Sequence, residues 1–306
     1  MYKSVLCFVL LLFLVNGRAS ASSDYSIGVS VSDLTNPFFV TMVKSIKAEA
    51  NQIPDKKIDV IVRSSAYDLD RQNQQIDLFI ERKVDLILLV ASDEQGIAPA
   101  VNKARRAGIR VIAVDVRATG ADVTITTDNI QAGEMACLKL VKKLNKKGRV
   151  IIINGPPVSA SLDRVAGCKS VLNDYPDINL LDADINGTGS YNGGLEAMAY
   201  ALQAYSDIDG VFAINDPTAL GAEQAMLQSG EQVWIASVDG APSAIQALEE
   251  KRPNWLGTSA QFPKRMSREA VQIGLGLLNG GKVERELVLI KPEFIDVSNY
   301  HQFSRW

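Results

Sequence analysis

The sequence predicts an α/β protein built as two doubly wound parallel-sheet lobes. Apolar runs of strand length alternate with segments of helical period along most of the chain. The run Val84–Val90 is apolar apart from Asp85, the pattern of a parallel strand buried on both faces. A chain of 306 residues is also long enough for two cores at roughly 100–200 residues per domain.

Tyr25–Ser32 is a short apolar strand. Pro37–Asn51 follows with Phe39, Met42, Val43 and Ile46 at helical spacing, and Pro37 suits the first helical turn. Lys57–Val62 reads as a strand and Asp68–Glu81 as a helix with apolar Ile76, Leu78 and Phe79. After Val84–Val90 come the helix Gln95–Ala107, closed by Gly108, and the strand Arg110–Val114. The series then restarts. Val123–Thr126 leads into the helix Ile130–Leu144, and strand Arg149–Ile153 into helix Ser161–Leu172. Strand Ile178–Ala183 precedes helix Gly193–Ala204, and strand Gly210–Ala213 precedes helix Pro217–Gln228. Val233–Val238 and Pro242–Glu249 repeat the pattern. Leu256–Ile290 supplies a further strand, the helix Lys264–Leu278 and a return segment whose destination periodicity does not fix. So many strands do not fit one sheet, and the natural partition is two lobes meeting near Thr127. No linker rich in Pro, Gly or Ser joins them, which favours a hinge over a tether.

Met1–Ala21 carries Lys3, an apolar run from Val5 to Val15 and the triplet Ala19-Ser20-Ala21, the layout of a cleaved secretory signal peptide. The run is too short to span a bilayer, which takes about 20 apolar residues. Cys7 sits in a poor lipobox, so cleavage before Ser22 is expected. An exported chain is excluded from cytosolic DNA binding, and its net charge of −3 argues against a phosphate-backbone binder. The single histidine, His301, is near the C-terminus, which removes most histidine chemistry; it is assigned to the tail. Cys137 and Cys168 both fall in predicted helices. They form a disulfide if those helices are neighbours and stay buried thiols otherwise. The basic run Lys142, Lys143, Lys146 and Lys147 reads as a solvated helix end.

In open parallel sheets, ligands bind beyond the carboxyl ends of the strands. Those positions hold Asp33-Leu34-Thr35-Asn36-Pro37-Phe38-Phe39, Asp115-Val116-Arg117, Gly155–Arg164, Asn215-Asp216, Val238-Asp239-Gly240 and Gln261. Carboxylates, amides, arginines and aromatics suit a polyhydroxylated ring, and no glycine cradle for phosphate is visible. Phe38 and Phe39 are adjacent, so one is expected in the core and one at the cleft. Asn36 and Asn215 double as helix N-caps. No cofactor, metal site or nucleic-acid partner is expected.

These residues resemble the periplasmic sugar-binding proteins of the ribose-binding type, the substrate-binding subunits of ABC importers. The resemblance rests on Asn36-Pro37-Phe38-Phe39, Thr127-Asp128-Asn129, Val211-Phe212-Ala213-Ile214-Asn215-Asp216 running into Ala219-Leu220-Gly221-Ala222, Val238-Asp239-Gly240-Ala241-Pro242 and Ala260-Gln261. It implies a three-segment hinge, with one lobe of residues 22–126 plus 262–288 and another of 127–261 plus 289–306. By the same resemblance, Phe38 and Phe39 stack on a sugar face while Asn36, Asp115, Arg164, Asn215, Asp239 and Gln261 bond its hydroxyls. Three departures fall on ligand-selecting positions. Val116 separates Asp115 from Arg117, Ser92 is the candidate for a missing asparagine, and Tyr191 is the candidate for a missing second-lobe aromatic. The resemblance implies a monomeric periplasmic protein that hands a sugar or polyol to a permease in the inner membrane. A second reading keeps the ligand but presents it to a chemoreceptor or histidine-kinase ectodomain. A third, an exported glycosidase using Asp115 and Asp239, is disfavoured, because the inventory suits many polar contacts rather than one acid of raised pKa.

Overall fold

The computed structural model describes residues 24–306; the expected leader Met1–Ala21, with Cys7, lies outside them. Two six-stranded sheets form the frame. The first joins β1 (Tyr25–Val31), β2 (Ile58–Ser64), β3 (Leu86–Leu89), β4 (Arg110–Val114), β5 (Val123–Thr127) and β11 (Leu287–Ile290), all parallel, in the order β11-β5-β4-β3-β1-β2. The second joins β6 (Gly148–Asn154), β7 (Ile178–Asn186), β8 (Gly210–Ala213), β9 (Trp234–Asp239), β10 (Trp255–Ala260) and β12 (Glu293–Ile295), in the order β12-β10-β9-β8-β6-β7. Only β12 runs antiparallel, against β10. Both sheets are doubly wound, with order reversals between β1 and β3 and between β6 and β8.

The helices are α1 (Pro37–Asn51), α2 (Leu69–Glu81), α3 (Ala98–Arg106), α4 (Asn129–Lys143), α5 (Ser159–Asn173), α6 (Tyr191–Ala204), α7 (Asp216–Ser229), α8 (Pro242–Glu249) and α9 (Pro263–Leu278). The ambiguous C-terminal stretch resolves into β10, α9 and β11. The chain therefore passes from the first sheet to the second after β5, returns between β10 and α9, and crosses again between β11 and β12. Among the described residues no helix is long and apolar enough to cross a membrane.

Several boundaries differ from the sequence expectation. Strand β7 continues past Ala183 to Asn186, because buried Ala183 and Ile185 alternate with exposed Asp184 and Asn186. Helix α5 starts at Ser159 rather than Ser161, and α6 starts at Tyr191, capped by the Ser190 hydroxyl on the Gly193 amide.

One apolar cluster built on Ile27, Leu88, Ile112 and Phe79 fills the first lobe, and Val158 and Ala160 at the start of α5 join it from the second. Two clusters, around Ile153 and Val211 and around Ile152 and Phe212, fill the second lobe. Helices α4 and α5 meet backbone to backbone. A Cβ on Gly133 would lie 2.0 Å from the Arg164 carbonyl oxygen, and one on Gly167 would lie 2.1 Å from that of Ile130. That approach brings the Cys137 and Cys168 Cα atoms to 5.2 Å, and the two cysteines form a disulfide.

Candidate functional site

The carboxyl ends of the two sheets face each other across a cavity of about 50 Å³. Asn36, Phe38, Phe39, Asp115, Arg164, Asn215, Asp239 and Gln261 all line it, with Tyr67, Pro156, Val158, Ala160, Ser161, Gly189 and Ile214. A hollow of about 480 Å³ lies between the start of α9 and the C-terminal tail, but its ionisable residues Lys264, Arg265, Arg268 and Glu293 are exposed. The smaller cavity is the candidate site because it gathers buried charges from both lobes.

Each polar group is fixed by the element that carries it. Asn36 caps α1 by accepting from the Phe38 amide at 2.9 Å. Asn215 caps α7 through the Thr218 amide at 3.0 Å, while its Nδ2 donates to the Gly189 carbonyl at 2.9 Å. Phe38 and Phe39 lie edge to face, with centroids 5.4 Å apart. Both line the cavity and both belong to the first-lobe core, so the expected division of one in the core and one at the cleft does not hold. The C-terminal Trp306 packs edge-on against Phe38 from behind, at 5.8 Å between centroids.

The buried charges form a chain that reaches the crossing segments. Arg164 donates through Nε to Asn129 Oδ1 at 2.9 Å and through Nη1 to the Ile214 carbonyl at 3.0 Å, with Asp239 Oδ1 at 3.5 Å. Gln261 Nε2 donates to that same Asp239 oxygen at 2.8 Å, and its Oε1 accepts from the Thr127 hydroxyl at 2.9 Å. Thr127 and Gln261 stand at two of the three crossings, so the hinge strands and the cavity share one hydrogen-bonded network. Asp216 is turned away from the cavity, accepting from the Ser237 hydroxyl at 2.5 Å and the Ala241 amide at 2.7 Å.

Asp115 differs from its neighbours. Its Oδ1 is buried without a hydrogen-bond partner. Its backbone is left-handed at φ 70°, and Asp239 likewise has φ 139°. Strained, non-glycine conformations at both cavity carboxylates are the kind that functional sites retain. Burial pushes the Asp115 carboxyl up to about 7; Arg164 counteracts this and Asp239 adds to it. Burial also raises Asp239, partly offset by Arg164 and Gln261, and it raises the Tyr67 phenol beside Asp115. A carboxyl group of raised pKa is thus present, contrary to the sequence expectation, and desolvation is its cause.

Three sequence candidates lie elsewhere. The Ser92 hydroxyl pairs with that of Ser65 at 2.9 Å, and its amide donates to Gln72 at 2.7 Å. Tyr191 opens α6 at the surface, 44% exposed, so the second lobe gives the cavity Pro156, Val158 and Ile214 in place of an aromatic ring. Arg117 is drawn outward. Its Nε lies 3.1 Å from both oxygens of Glu94, and its Nη1 lies 2.5 Å from Asp163 on α5. Its amide donates to the Ser159 hydroxyl, at 2.8 Å, in the other lobe. The intervening Val116 is buried and gives Arg117 the opposite side of the loop. Sequence reasoning missed Tyr67. It follows β2 through Ser65-Ala66, so the rule that collects carboxyl strand ends reaches it as well.

Comparison with known proteins agrees with this geometry. The ribose import binding protein of Bacillus subtilis is 31% identical over 86% of this chain and 85% of its own. The xylitol-binding protein of Mycolicibacterium smegmatis is 29% identical over 93% of this chain and 82% of its own. Among solved structures, an ABC transporter solute-binding protein from Bacillus halodurans with bound myo-inositol superposes with a TM-score of 0.84 at 27% identity, covering 92% of this chain and 98% of its own. Residues 27–282 match the periplasmic binding protein domain, and with the two doubly wound sheets this establishes that the chain belongs to the periplasmic binding protein family, in its ribose-binding type.

Proposed function

We propose that this protein captures a sugar or polyol between its two lobes by hinge closure and delivers it, unchanged, to an ABC permease. The carrying observation is the cavity itself: Asn36, Phe38, Phe39 and Asp115 reach it from the first lobe, Arg164, Asn215 and Asp239 from the second. A ligand that bridges both sets favours the closed arrangement over the open one, because only closure satisfies both ends of it. The lobes are residues 24–127 plus 262–290 and 128–261 plus 291–306, bounds that keep β5 and β11 whole in the first sheet instead of cutting them at 126 and 288, and they bend about the segments near Thr127, Gln261 and Lys291. The protein acts as a monomer in the periplasm. Transport is favoured over sensing because the curated relatives include import binding proteins for ribose and for D-apiose. Capture is favoured over glycoside cleavage because Asp239, the carboxylate that would pair with Asp115, is already committed to Arg164 and Gln261.

The test is a thermal-shift panel of sugars and polyols followed by titration of the best ligand. A ligand of the folded state raises stability by RT ln(1 + [L]/Kd). Asp239→Ala removes a charge-assisted contact and should weaken binding by roughly 10–150-fold, about 1.5–3 kcal/mol. Unchanged affinity in that variant rules out this placement of the ligand.

A further inference from the structure

We propose that Trp306 is a positioning residue of the capture site: carried by the second lobe, it backs the first-lobe ring Phe38 and makes that ring part of closure. The effect on binding rests on the carbohydrate-capture reading; the effect on closure rests on the two-lobe geometry alone.

The first ground is what holds the tail. Up to Arg305 it belongs to the second lobe. Lys139 on α4 meets Asp296 at 2.8 Å, and Asn299 Nδ2 donates to the Phe294 carbonyl at 2.9 Å. Tyr300 and Phe303 pack against the second-lobe apolar cluster, and Arg305 pairs with Glu249 on α8. The next residue does not follow them. Trp306, half-buried, packs on the first-lobe cluster instead. The lobes, already joined by three backbone crossings, are thus joined once more by a side chain, and any rotation of one against the other acts on that contact.

The second ground is the ring that Trp306 meets. The indole stands edge-on to Phe38 with centroids 5.8 Å apart and planes at 84°, and Phe38 stands edge-on to Phe39 at 5.4 Å. Phe38 lines the ligand cavity, whereas Trp306 lines the hollow of about 480 Å³ behind it. The indole therefore fills the space into which the Phe38 ring would otherwise turn. An edge-to-face pair of this kind changes an equilibrium constant by about two- to twelvefold beyond its buried area.

The third ground is a cost. The Trp306 Nε1 is buried without an acceptor, and a buried donor left unpaired opposes its own burial. Ring packing holds the contact together while the N–H loosens it. The contact is a latch rather than a lock, so the lobes can part when no ligand bridges them.

The test compares purified wild type with Trp306→Ala and Trp306→Phe. Each is titrated with the tightest wild-type binder among D-ribose, D-glucose, xylitol and myo-inositol, and each is measured without ligand by small-angle X-ray scattering. Trp306→Ala is expected to weaken binding about two- to twelvefold and to raise the ligand-free radius of gyration. Trp306→Phe keeps a ring and removes the orphaned N–H, so it is expected to bind at least as tightly as wild type. Trp306→Leu, which fills space without a ring, takes the place of the alanine variant if that one folds poorly. Weaker binding in both the alanine and the phenylalanine variants assigns Trp306 to packing alone and overturns the proposal. Unchanged affinity in Trp306→Ala overturns it too, whatever its melting temperature. A panel in which nothing binds wild type overturns the capture reading instead. Scattering then decides the latch, and identical radii for wild type and Trp306→Ala overturn that as well.

Discussion

Asp115 is the residue whose chemistry the fold alters most. Its carboxyl moves from an ordinary 3.8 to about 7 because burial removes water from it while Oδ1 gains no donor. The sign of the pH effect follows. Between about pH 4 and pH 7 the folded state holds a proton that the unfolded chain has released, so stability falls as pH rises through that window and levels off above it. Melting curves of the ligand-free protein should show this decline. Asp115→Asn should flatten it, leaving the part due to buried Asp216 and Asp239, which burial also raises. Hydroxyl donors favour the ionised carboxylate, so ligand affinity should fall below pH 7 by at most about tenfold per unit, and Asp115→Asn should remove most of that slope. The sequence marks Asp115 by its place after the fourth strand. It does not reveal the missing partner, because that depends on where Val116 sends Arg117.

At the scale of elements, the α4–α5 pair is the rigid base of the second-lobe half of the site. Gly133 and Gly167 let the two backbones touch, and Arg164 projects from α5 onto Asn129 at the start of α4. The Cys137–Cys168 bridge closes this pair over a sequence separation of 31. A loop of that length limits the unfolded chain enough to contribute about 2–4 kcal/mol. Reduction, or the double change Cys137→Ser and Cys168→Ser, should lower unfolding stability by that amount in urea titrations and leave the ligand preference unaltered. The sequence placed both cysteines on helices but left the bridge open. Whether the two helices are neighbours is a matter of packing, which the glycines allow and spacing alone does not disclose.

For the whole molecule, closure has its own fastening apart from the ligand. Arg117 leaves the loop after β4 and grips Asp163 on α5, while its amide bonds Ser159, so one residue spans the two lobes. Arg117 is 36% exposed and Asp163 is 24% exposed, so the ion pair is screened and contributes about 0.5–1 kcal/mol. Arg117→Ala should therefore weaken ligand binding about two- to fivefold, through the open–closed balance rather than through contact. Titrations at low and high salt check this: the wild-type affinity should fall with salt, and the variant's should not. A loss of tenfold or more with salt dependence intact would return Arg117 to the cavity.

The sequence by itself determined the doubly wound fold class and most of the cavity lining, because strand periodicity and the carboxyl-edge rule are local properties; the family came from a resemblance carried by the ordered motifs at Asn36, Thr127, Asn215, Asp239 and Gln261. Asn36, Phe38, Phe39, Asp115, Arg164, Asn215, Asp239 and Gln261 were all legible in that way. The tertiary structure decided what depends on distance between segments far apart in the chain. It sent Arg117, Ser92 and Tyr191 away from the cavity, joined Cys137 to Cys168 and brought Tyr67 in as a wall. It also left one buried oxygen of Asp115 without a donor. A side chain's partner is chosen by the packing of two lobes and three crossings, and the order of residues along one strand carries no measure of that.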